Sequence, residues 1–340
     1  MTSSREKIIL IIAEIAQAHQ GSFDRALAYI DAVSKTGVDA VKFQVHIAEA
    51  ESSIHEPFRI KIAGGDKTRL DYWKRMEFSL DQWKAIKRRC EERGVEFMAS
   101  PFSNAAVDLL EKLGVLRYKI GSGEVNNFLM LEKIAETKKP IILSSGMSSF
   151  NELDETVAFL KKRDCYFSIL QCTTSYPTHP ENYGLNVIGE LKNRYHVPVG
   201  FSDHSGKIES CIAAVALGAE ILEFHVVFDR NNDTGPDASS SLEMDEITQL
   251  VVSVKNISKA IHNPRDKTDT SSFSELKSIF EKSLAVNKPL NKNHTLTFDD
   301  LESKKPKGFG INASDFEKVI GKKLSRNMEQ WDFLTEGDLF

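Results

Sequence analysis

The feature that most constrains this chain is a unit that repeats eight times between residue 8 and about residue 262. Each copy contains a short run rich in β-branched residues, a turn cluster, and a stretch with apolar residues at i, i+3 and i+4. This alternation predicts parallel strands with helical crossovers. Eight units within roughly 250 residues are typical of a (β/α)8 TIM barrel, which is the fold we predict for this part of the chain.

The predicted strands are Ile8–Glu14, Ala40–Val45, Val95–Ala99, Arg117–Ile120, Ile141–Ser144, Tyr166–Cys172, Val197–Ser202 and Ile221–His225. Helices are predicted at Phe23–Lys35, Leu80–Arg93, Asn104–Leu113, Asn151–Lys162 and Met244–His262. A doubly wound open sheet is the alternative α/β fold. That fold would need a glycine-rich phosphate loop after the first strand, and the segment from Ala16 to Gly21 is not one.

A polar, proline-containing stretch after His262 indicates a domain boundary. We predict a barrel domain at 1–262, a linker at 263–275 and a small second domain at 276–340. The second domain is rich in lysine and in short strand-like pieces, and the core of so short a segment would be marginal by itself. We therefore expect it to pack on another surface.

Composition narrows the possible partners and compartments. The 44 basic and 49 acidic residues give a net charge of −5, so the chain lacks the basic excess that nucleic-acid binding requires. The longest apolar runs are too short to cross a membrane, which takes about 20 residues, and the first residues lack the layout of a signal peptide. We expect a cytoplasmic protein. The four cysteines are widely spaced, which indicates neither disulfides nor a thiolate metal site.

The active site of such a barrel lies at the C-terminal ends of its strands. In this chain, strongly polar residues end or follow the apolar strands: Glu14, Lys42, Gln44, Ser100, Lys119, Ser122, Glu124, Ser144, Thr174, Tyr176, Ser202, Asp203, His204 and His225. Burial of so many ionisable groups without partners would cost several kcal/mol per ion. A solvated or ligand-filled site explains the pattern better than a structural role.

Lys42 and Lys119 lie within strands and are expected to point into the barrel. The structural alternative is that each lysine extends along the outer rim into solvent. Two inward ammonium groups close to serine hydroxyls would form a receptor for phosphate and carboxylate groups. The hydroxyls are those of Ser100, Ser122, Ser144 and Ser202.

His204 and His225 follow or end neighbouring strands, so both imidazoles could bind one metal ion. Imidazole and oxygen ligands with open positions suit Mn²⁺, Zn²⁺ or Co²⁺ better than Ca²⁺. A lone histidine is as often a hydrogen-bonded structural residue, and the pair makes the metal interpretation stronger. Glu14 and Glu124 are the acid/base candidates, and their structural alternative is an ion pair with Lys42 or Lys119.

Several stretches together resemble the N-acetylneuraminate (sialic acid) synthase family, in the order found in that family. They are Ile12-Ala13-Glu14-Ile15, Asp39-Ala40-Val41-Lys42-Phe43-Gln44, Ser100-Pro101-Phe102-Ser103, Lys119-Ile120-Gly121-Ser122-Gly123-Glu124, Leu143-Ser144-Ser145-Gly146-Met147, Cys172-Thr173-Thr174-Ser175-Tyr176-Pro177, Phe201-Ser202-Asp203-His204, Glu223-Phe224-His225 and Gly235-Pro236-Asp237. Lys282-Ser283-Leu284-Ala285 and Lys304-Lys305-Pro306 resemble the family's small, mostly β antifreeze-like (SAF, β-clip) domain.

The resemblance implies a metal-dependent condensation of phosphoenolpyruvate with the open-chain aldehyde of an N-acylated hexosamine. The phosphoenolpyruvate-binding residues would be Lys42, Ser100, Lys119, Ser122, Ser144, Tyr176 and Ser202. His204 and His225 would bind the metal, Mn²⁺ first, with Mg²⁺, Co²⁺ or Zn²⁺ as alternatives. Glu14 and Glu124 would be catalytic, and the sugar would meet Gln44, Tyr176, Asp237 and Lys305. The family also implies a homodimer in which the small domain of each subunit closes the site of the other.

Departures from the family pattern concern the acceptor sugar. The family commonly has Lys-Arg-Pro where this chain has Lys304-Lys305-Pro306, and lysine lacks the planar fork of arginine. Ala18 and Thr174 stand where the family often has asparagine. The acceptor is therefore left open between N-acetylmannosamine and the diacetamido-trideoxyhexose that leads to legionaminic or pseudaminic acid.

The insertion from His46 to Phe78 follows the second strand and is rich in charged and aromatic residues. Loops at this end of a barrel often carry function, so it could be a substrate lid. The residues that suggest this are Phe58, Arg59, Lys61, Arg69, Tyr72, Trp73 and Arg75.

Two other functions remain open from the sequence. One is a barrel that condenses phosphoenolpyruvate with a sugar phosphate, as keto-deoxy-octulosonate and heptulosonate synthases do, although these lack the antifreeze-like domain. The other is a non-catalytic sugar-binding relative. The joint presence of Glu14, Lys42, Lys119, His204 and His225 argues against the second, because drift would be expected to lose some of them.

Overall fold

The structure is a computed structural model, and it describes residues 9–58, 65–233 and 235–340. Within these residues, eight parallel strands alternate with helices. The strands are β1 (Leu10–Glu14), β2 (Ala40–Val45), β3 (Glu96–Pro101), β4 (Tyr118–Ile120), β5 (Ile141–Ser144), β6 (Phe167–Cys172), β7 (Val199–Asp203) and β8 (Ile221–Val226).

The eight parallel strands form a nearly closed barrel. Strand β1 pairs with both β2 and β8, and the remaining order runs from β8 through β7, β6 and β5 to β4, with β3 beyond β2. The starts of β3 and β4 are joined by Arg117, which donates to both carboxylate oxygens of Glu96 at 2.8 and 2.9 Å. Strands β3 and β4, at the two ends of this order, lie beside each other. The predicted TIM barrel is thus confirmed, and the doubly wound alternative is wrong because the end strands of an open sheet lie at opposite edges.

The helices of the first part of the chain are α1 (Phe23–Val33), α2 (Ala48–Glu51), α3 (Arg69–Met76), α4 (Leu80–Glu92), α5 (Asn104–Leu113), α6 (Phe128–Glu136), α7 (Phe150–Lys161), α8 (Asn186–Tyr195), α9 (Ile208–Ala216) and α10 (Met244–His262). Capping residues set several helix starts. Thr68, Ser79 and Ser149 each accept a backbone N–H of the first turn, and the third helical residue bonds back to the cap. None of the helices among the described residues is long and apolar enough to cross a membrane.

Alternation along the strands separates two apolar layers. In β1, Ile11 and Ala13 face the helices and join the large core between barrel and helices. Ile12 points the other way, into the barrel, where it joins a small cluster that forms an apolar floor. The floor residues are Ile12, Ala40, Met98, Ile142, Leu170 and Ile221, with Leu10 packed against them.

Residues two positions further along each strand also face inward, one layer closer to the mouth. Stepping by two from the floor residues reaches Glu14, Lys42, Ser100, Ser144, Cys172 and Glu223. The same period that builds the apolar floor therefore places a polar layer directly above it, and this layer is the base of the site described below.

The chain forms two compact units, the first ending at Asn263 and the second running from Pro264 to Phe340. The second unit begins within the stretch predicted as a linker at 263–275, and its helix α11 (Ser274–Phe280) starts at the end of that stretch and continues beyond it. It contains an antiparallel pair, β10 (Ser283–Val286) and β11 (Leu301–Lys304); β9 (Ser241–Leu242) belongs to the first unit. A separate core includes Leu284, Leu296 and Leu324.

Candidate active site

A cavity of about 190 Å³ lies at the C-terminal ends of the barrel strands. It brings together residues that are up to 211 positions apart in the sequence, from Glu14 to His225. The predicted site residues that line it are Glu14, Lys42, Gln44, Ser100, Lys119, Ser122, Ser144, Tyr176, Ser202, His204 and His225. We call this space the inner cavity.

The two lysines of the inner cavity are almost fully buried, with 3% of Lys42 and 2% of Lys119 exposed. Lys119 donates to the hydroxyl of Ser144 at 2.7 Å, and Lys42 donates to that of Ser100 at 3.4 Å. Their outward, solvent-reaching alternative is therefore excluded. Both ammonium groups converge with hydroxyls, as expected for a receptor of an anion.

Glu223 is a buried carboxylate that lies between the two lysines. Its oxygens are 3.3 Å from Nζ of Lys119 and 3.7 Å from Nζ of Lys42, and it accepts a hydrogen bond from Ser202 at 3.1 Å. Burial by itself raises the pKa of Glu223, but the two ammonium groups outweigh this effect and hold the pKa below its usual range. Glu223 is thus an anion that balances the lysines.

Burial lowers the pKa of Lys42 to about 7, an effect that Glu223 opposes and Lys119 reinforces. Lys42 also forms an ion pair with Glu14, whose side chain is 1% exposed. The ion pair that was the structural alternative for Glu14 is present. Among the described residues, neither oxygen of Glu14 has a hydrogen bond of ordinary geometry, so Lys42 is its counter-charge.

The loop after β5 approaches the loop after β4 very closely at Gly146. The backbone N–H of Gly146 donates to Ser122 at 3.2 Å. A Cβ at this position would lie 2.4 Å from Oγ1 of Thr174, 2.7 Å from Oγ of Ser122 and 2.9 Å from Sγ of Cys172. Only glycine leaves room for these three polar side chains to meet.

His204 and His225 face one another with ring centroids 5.3 Å apart. Nδ1 of His204 donates to the carbonyl of Thr173 at 2.9 Å, which leaves the Nε2 lone pair for the Tyr176 hydroxyl, 3.1 Å away, or for a metal. Nδ1 of His225 lies 3.9 Å from a carboxylate oxygen of Asp237. This donor set fits a divalent metal held by two imidazoles.

Across the described residues, no group of three or more His, Cys, Asp or Glu side chains is arranged to hold a metal ion.

A larger cavity of about 470 Å³ opens outward from the inner one and shares part of its wall. We call it the outer cavity. Of the predicted site residues, Gln44, Glu124, Tyr176, His225 and Asp237 line it. The insertion after β2 supplies a further part of the wall, namely His46, Glu51, Glu56, Arg69 and Trp73.

Glu124 is half-buried and accepts a hydrogen bond from the Asn127 side chain at 2.7 Å. Burial raises its pKa, helped by the nearby charge of Glu51 and opposed by Asn127 and His46. No ion pair between Glu124 and Lys42 or Lys119 is found among the described residues, unlike the case of Glu14. A carboxyl group with a raised pKa is suited to donate a proton.

One predicted site residue of the first unit, Asp203, lines neither cavity. Asp203, at the end of β7, is buried but is occupied by hydrogen bonds from Ser205 and Ser210. Lys305 lies in the second unit, and its side chain is within 4.9 Å of the ring of Phe280 in the same unit. From the insertion, Arg59 and Lys61 lie outside the described residues.

A protein-family model described as the NeuB family matches residues 29–266. The chain belongs to the NeuB family. It is 39% identical over 258 residues to human N-acetylneuraminate-9-phosphate synthase, covering 75% of this chain and 71% of the human protein. It is 33% identical over 336 residues to N,N'-diacetyllegionaminic acid synthase of Campylobacter jejuni, covering 97% of this chain and all of that protein.

A solved structure from Leptospira borgpetersenii, an N-acetylneuraminic acid synthetase in complex with citrate, is similar to this NeuB-family chain. The TM-score is 0.71 at 31% identity, covering 82% of this chain and 94% of the other. The family resemblance stated from the sequence motifs is thereby confirmed.

Sequence reasoning missed Glu223 and Cys172 as members of this NeuB-family site. Glu223 lies inside the predicted strand Ile221–His225 and Cys172 ends the predicted strand Tyr166–Cys172, and neither was among the polar residues expected to form the site. The available signal was the period of two: Glu223 lies two positions before His225 on the same face of β8, and Cys172 lies two positions after the floor residue Leu170.

Proposed function

We propose that this protein condenses phosphoenolpyruvate with the open-chain aldehyde of an N-acylated hexosamine of the N-acetylmannosamine type. The products are a sialic-acid-like nine-carbon 2-keto acid and phosphate. The single observation that carries the proposal is the convergence of two buried lysines, Lys42 and Lys119, with the histidine pair at one barrel mouth. One group recognises an anion and the other suits a metal beside an aldehyde.

The inner cavity is assigned to phosphoenolpyruvate. Lys42 and Lys119 supply two positive charges, and the serine hydroxyls supply neutral donors for the remaining phosphate and carboxylate oxygens. The residues proposed to bind are Lys42, Ser100, Lys119, Ser122, Ser144, Tyr176 and Ser202. Glu223 keeps the lysines in place and offsets their charge, so the receptor is not a pair of uncompensated buried cations.

The outer cavity is assigned to the sugar, with Gln44, Tyr176 and Asp237 as binding residues. A divalent metal held by His204 and His225, Mn²⁺ by preference, supplies Lewis-acid polarisation of the aldehyde when bound. Glu124 lies in the same cavity, and its raised pKa makes it the group that we assign to protonate the aldehyde oxygen. Closure of the two cavities around both substrates would exclude bulk water.

The proposed reaction has three steps, namely formation of the carbon–carbon bond, addition of water and loss of phosphate. C3 of phosphoenolpyruvate forms a bond to the aldehyde carbon, and the former aldehyde oxygen takes a proton. Water adds to C2 and gives its proton to Glu14, which is buried beside Lys42. The tetrahedral intermediate collapses when the C2–O bond to phosphate breaks: phosphate leaves with the bonding electrons and takes the proton of the C2 hydroxyl, and the 2-keto group forms. Glu14 then releases its proton to solvent and Glu124 regains one, so both carboxyl groups return to their starting states.

We also propose a homodimer in which the second unit is an antifreeze-like (SAF) domain that closes the partner's site and brings Lys305 to the sugar. Two features of the second unit support this proposal, an exposed apolar surface and the chemistry of Lys305. Helix α11 and the preceding residue Phe273 expose an apolar surface that a partner could cover, formed by Phe273, Leu276, Ile279 and Phe280. Lysine at 305 can donate to sugar oxygens, although without the bidentate geometry of arginine.

A synthase for a diacetamido-trideoxyhexose is the second candidate. The observation that favours it is the match over essentially the full length to the C. jejuni legionaminic acid synthase. Both candidates use the same inner cavity, and they differ only in the sugar that the outer cavity accepts.

The test is phosphate release from phosphoenolpyruvate with Mn²⁺, comparing N-acetylmannosamine, its 6-phosphate, the diacetamido-trideoxyhexose and no sugar, before and after chelation. We expect phosphate release to require both the aldehyde and the metal. The sugar that gives the fastest release identifies the acceptor. His204→Ala should abolish this release and leave thermal unfolding unchanged. Release without any aldehyde, or full activity of His204→Ala, would overturn the proposal.

A further inference from the structure

Three side chains in the wall of the outer cavity, those of Gln44, His46 and Glu51, are joined by hydrogen bonds. Nδ1 of His46 is 2.6 Å from Oε1 of Glu51, and Nε2 of the same ring is 3.2 Å from Oε1 of Gln44. The side chains of His46 and Glu51 are 5% and 7% exposed. His46 and Glu51 line the outer cavity alone, whereas Gln44 lines both cavities and so marks the boundary between them.

The ring of His46 has little freedom to turn. It stacks on Trp73 with centroids 3.8 Å apart and on Phe102 with centroids 4.5 Å apart, both nearly parallel. Trp73 is itself held by Glu56, which accepts its indole N–H at 3.1 Å. Glu51 is also anchored, because it accepts from the backbone N–H of Ile47 at 3.4 Å. The orientation of the imidazole is therefore fixed by packing as well as by hydrogen bonds.

The types of atom in contact assign the donor and acceptor in each hydrogen bond among Glu51, His46 and Gln44. A carboxylate only accepts, so Nδ1 of His46 donates to Glu51. The amide oxygen of Gln44 faces Nε2 and accepts, so this contact uses an N–H at Nε2 as well. The Glu51 carboxylate and the aromatic faces of Trp73 and Phe102 are the groups that would stabilise a ring donating from both nitrogens. The contact uses the oxygen of the Gln44 amide. Its NH₂ group is the part that can donate to a ligand.

We propose that Glu51 and His46 are positioning residues that hold the amide of Gln44 with its NH₂ group as a donor to a carbonyl or hydroxyl oxygen of the acceptor. This inference rests on the proposed function, because it assigns a device for recognition of the acceptor sugar. An amide can turn by 180° and exchange its donor for its acceptor, and the fixed imidazole removes that ambiguity. Binding of phosphoenolpyruvate in the inner cavity should not depend on Glu51 and His46.

Glu51→Gln is the test variant, because it keeps the shape of the side chain and removes the charge that stabilises His46. We expect the KM for the acceptor to rise roughly three- to tenfold, the worth of one hydrogen bond, with kcat and the KM for phosphoenolpyruvate within about twofold of wild type. Glu51→Asp keeps the charge, so its KM for the acceptor should lie between those of the wild type and Glu51→Gln. It also serves as the test if Glu51→Gln does not fold.

Glu49→Gln is the matched control. It makes the same charge change on the same helix α2, but the Glu49 side chain is 74% exposed and pairs with Lys74 instead. We expect it to leave all three kinetic constants unchanged. The proposal is overturned if Glu51→Gln behaves like Glu49→Gln, or if it raises the KM values for both substrates equally.

A binding measurement separates this inference from the proposed function. The open-chain alditol of the acceptor lacks the aldehyde and cannot react, so calorimetry reports its binding without turnover. We expect Glu51→Gln to weaken alditol binding by the same factor as the KM for the acceptor. Absence of phosphate release by the wild type with every acceptor would refute the proposed function. Equal alditol binding by wild type and variant, including none by either, would refute the positioning role.

Discussion

Lys42 shares the counter-ion Glu223 with Lys119, and burial weakens the hold of Lys42 on its proton. Lys42 carries its proton only below a pKa of about 7 in the free protein, because burial disfavours the ammonium. The protonated form is the one that attracts phosphoenolpyruvate. As the pH rises through this value, the free enzyme loses a binding charge.

We therefore predict that kcat/KM for phosphoenolpyruvate falls roughly tenfold per pH unit above about pH 7. Lys42→Arg keeps its charge throughout this range, so the falling limb should move to higher pH if the variant retains activity. The measurement is the pH profile of phosphate release at low phosphoenolpyruvate. A profile that stays flat to pH 9 in the wild type would contradict the assignment.

Lys119→Ala is predicted to raise the KM for phosphoenolpyruvate by roughly 10- to 100-fold, since a charge-assisted hydrogen bond contributes about 1.5–3 kcal/mol. The KM for the sugar should change little. Lys133→Ala, on the outside of the barrel and paired with Asp108, is the control. An effect of Lys119→Ala confined to the sugar would contradict the role of Lys119 in anion binding, and thermal unfolding would reveal any loss of fold from leaving Glu223 less balanced.

At the level of elements, the site depends on strands that end at one height and on loops that approach closely. In each strand, the residue two positions after the apolar floor residue also faces inward and belongs to a polar layer. Glu14, Lys42 and Glu223 therefore lie at one level of the barrel. Above it, the loop after β5 packs against Ser122 and Thr174 through Gly146. A side chain at this position would displace the hydroxyls that face the inner cavity.

Gly146→Ala is predicted to raise the KM for phosphoenolpyruvate and to lower stability, because the new methyl group would meet three side-chain atoms at less than 3 Å. Gly189→Ala makes the same change in helix α8, where nothing lies within 4 Å of the added Cβ. That control should stabilise the protein by about 1 kcal/mol without kinetic effect. Steady-state kinetics and thermal unfolding of both variants decide the matter, and unchanged kinetics in Gly146→Ala would refute the close-packing argument.

At the level of the whole molecule, the proposed swapped dimer makes a quantitative prediction. A mixture of His204→Ala and Lys305→Glu chains, unfolded and refolded together, should recover about a quarter of wild-type activity, because half of the dimers are mixed and each then has one intact site. Each variant alone should be nearly inactive. Recovery no greater than the sum of the separate variants would argue that each chain completes its own site.

Much of the fold could be predicted because it follows from local periodicity. The strands Ala40–Val45 and Ile141–Ser144 and the helix Met244–His262 have the bounds expected from the sequence. The two lysines and the histidine pair could be anticipated because charged and imidazole side chains interrupt apolar strands. The short helices of the insertion after β2 carry no long apolar period, so their contacts with the outer cavity could not be foreseen.

The sequence by itself determined the barrel, the end of the barrel at which polar groups gather, and the family, because each depends on the spacing of residue types along the chain. The tertiary structure decided which groups are partners. Glu14 forms an ion pair with Lys42, and Glu223 lies between the two lysines. Asp203 accepts a hydrogen bond within its own loop, and the ring of His46 stacks on Trp73. Partnership depends on distances between strands and loops that are far apart in sequence, and only packing in three dimensions fixes those distances.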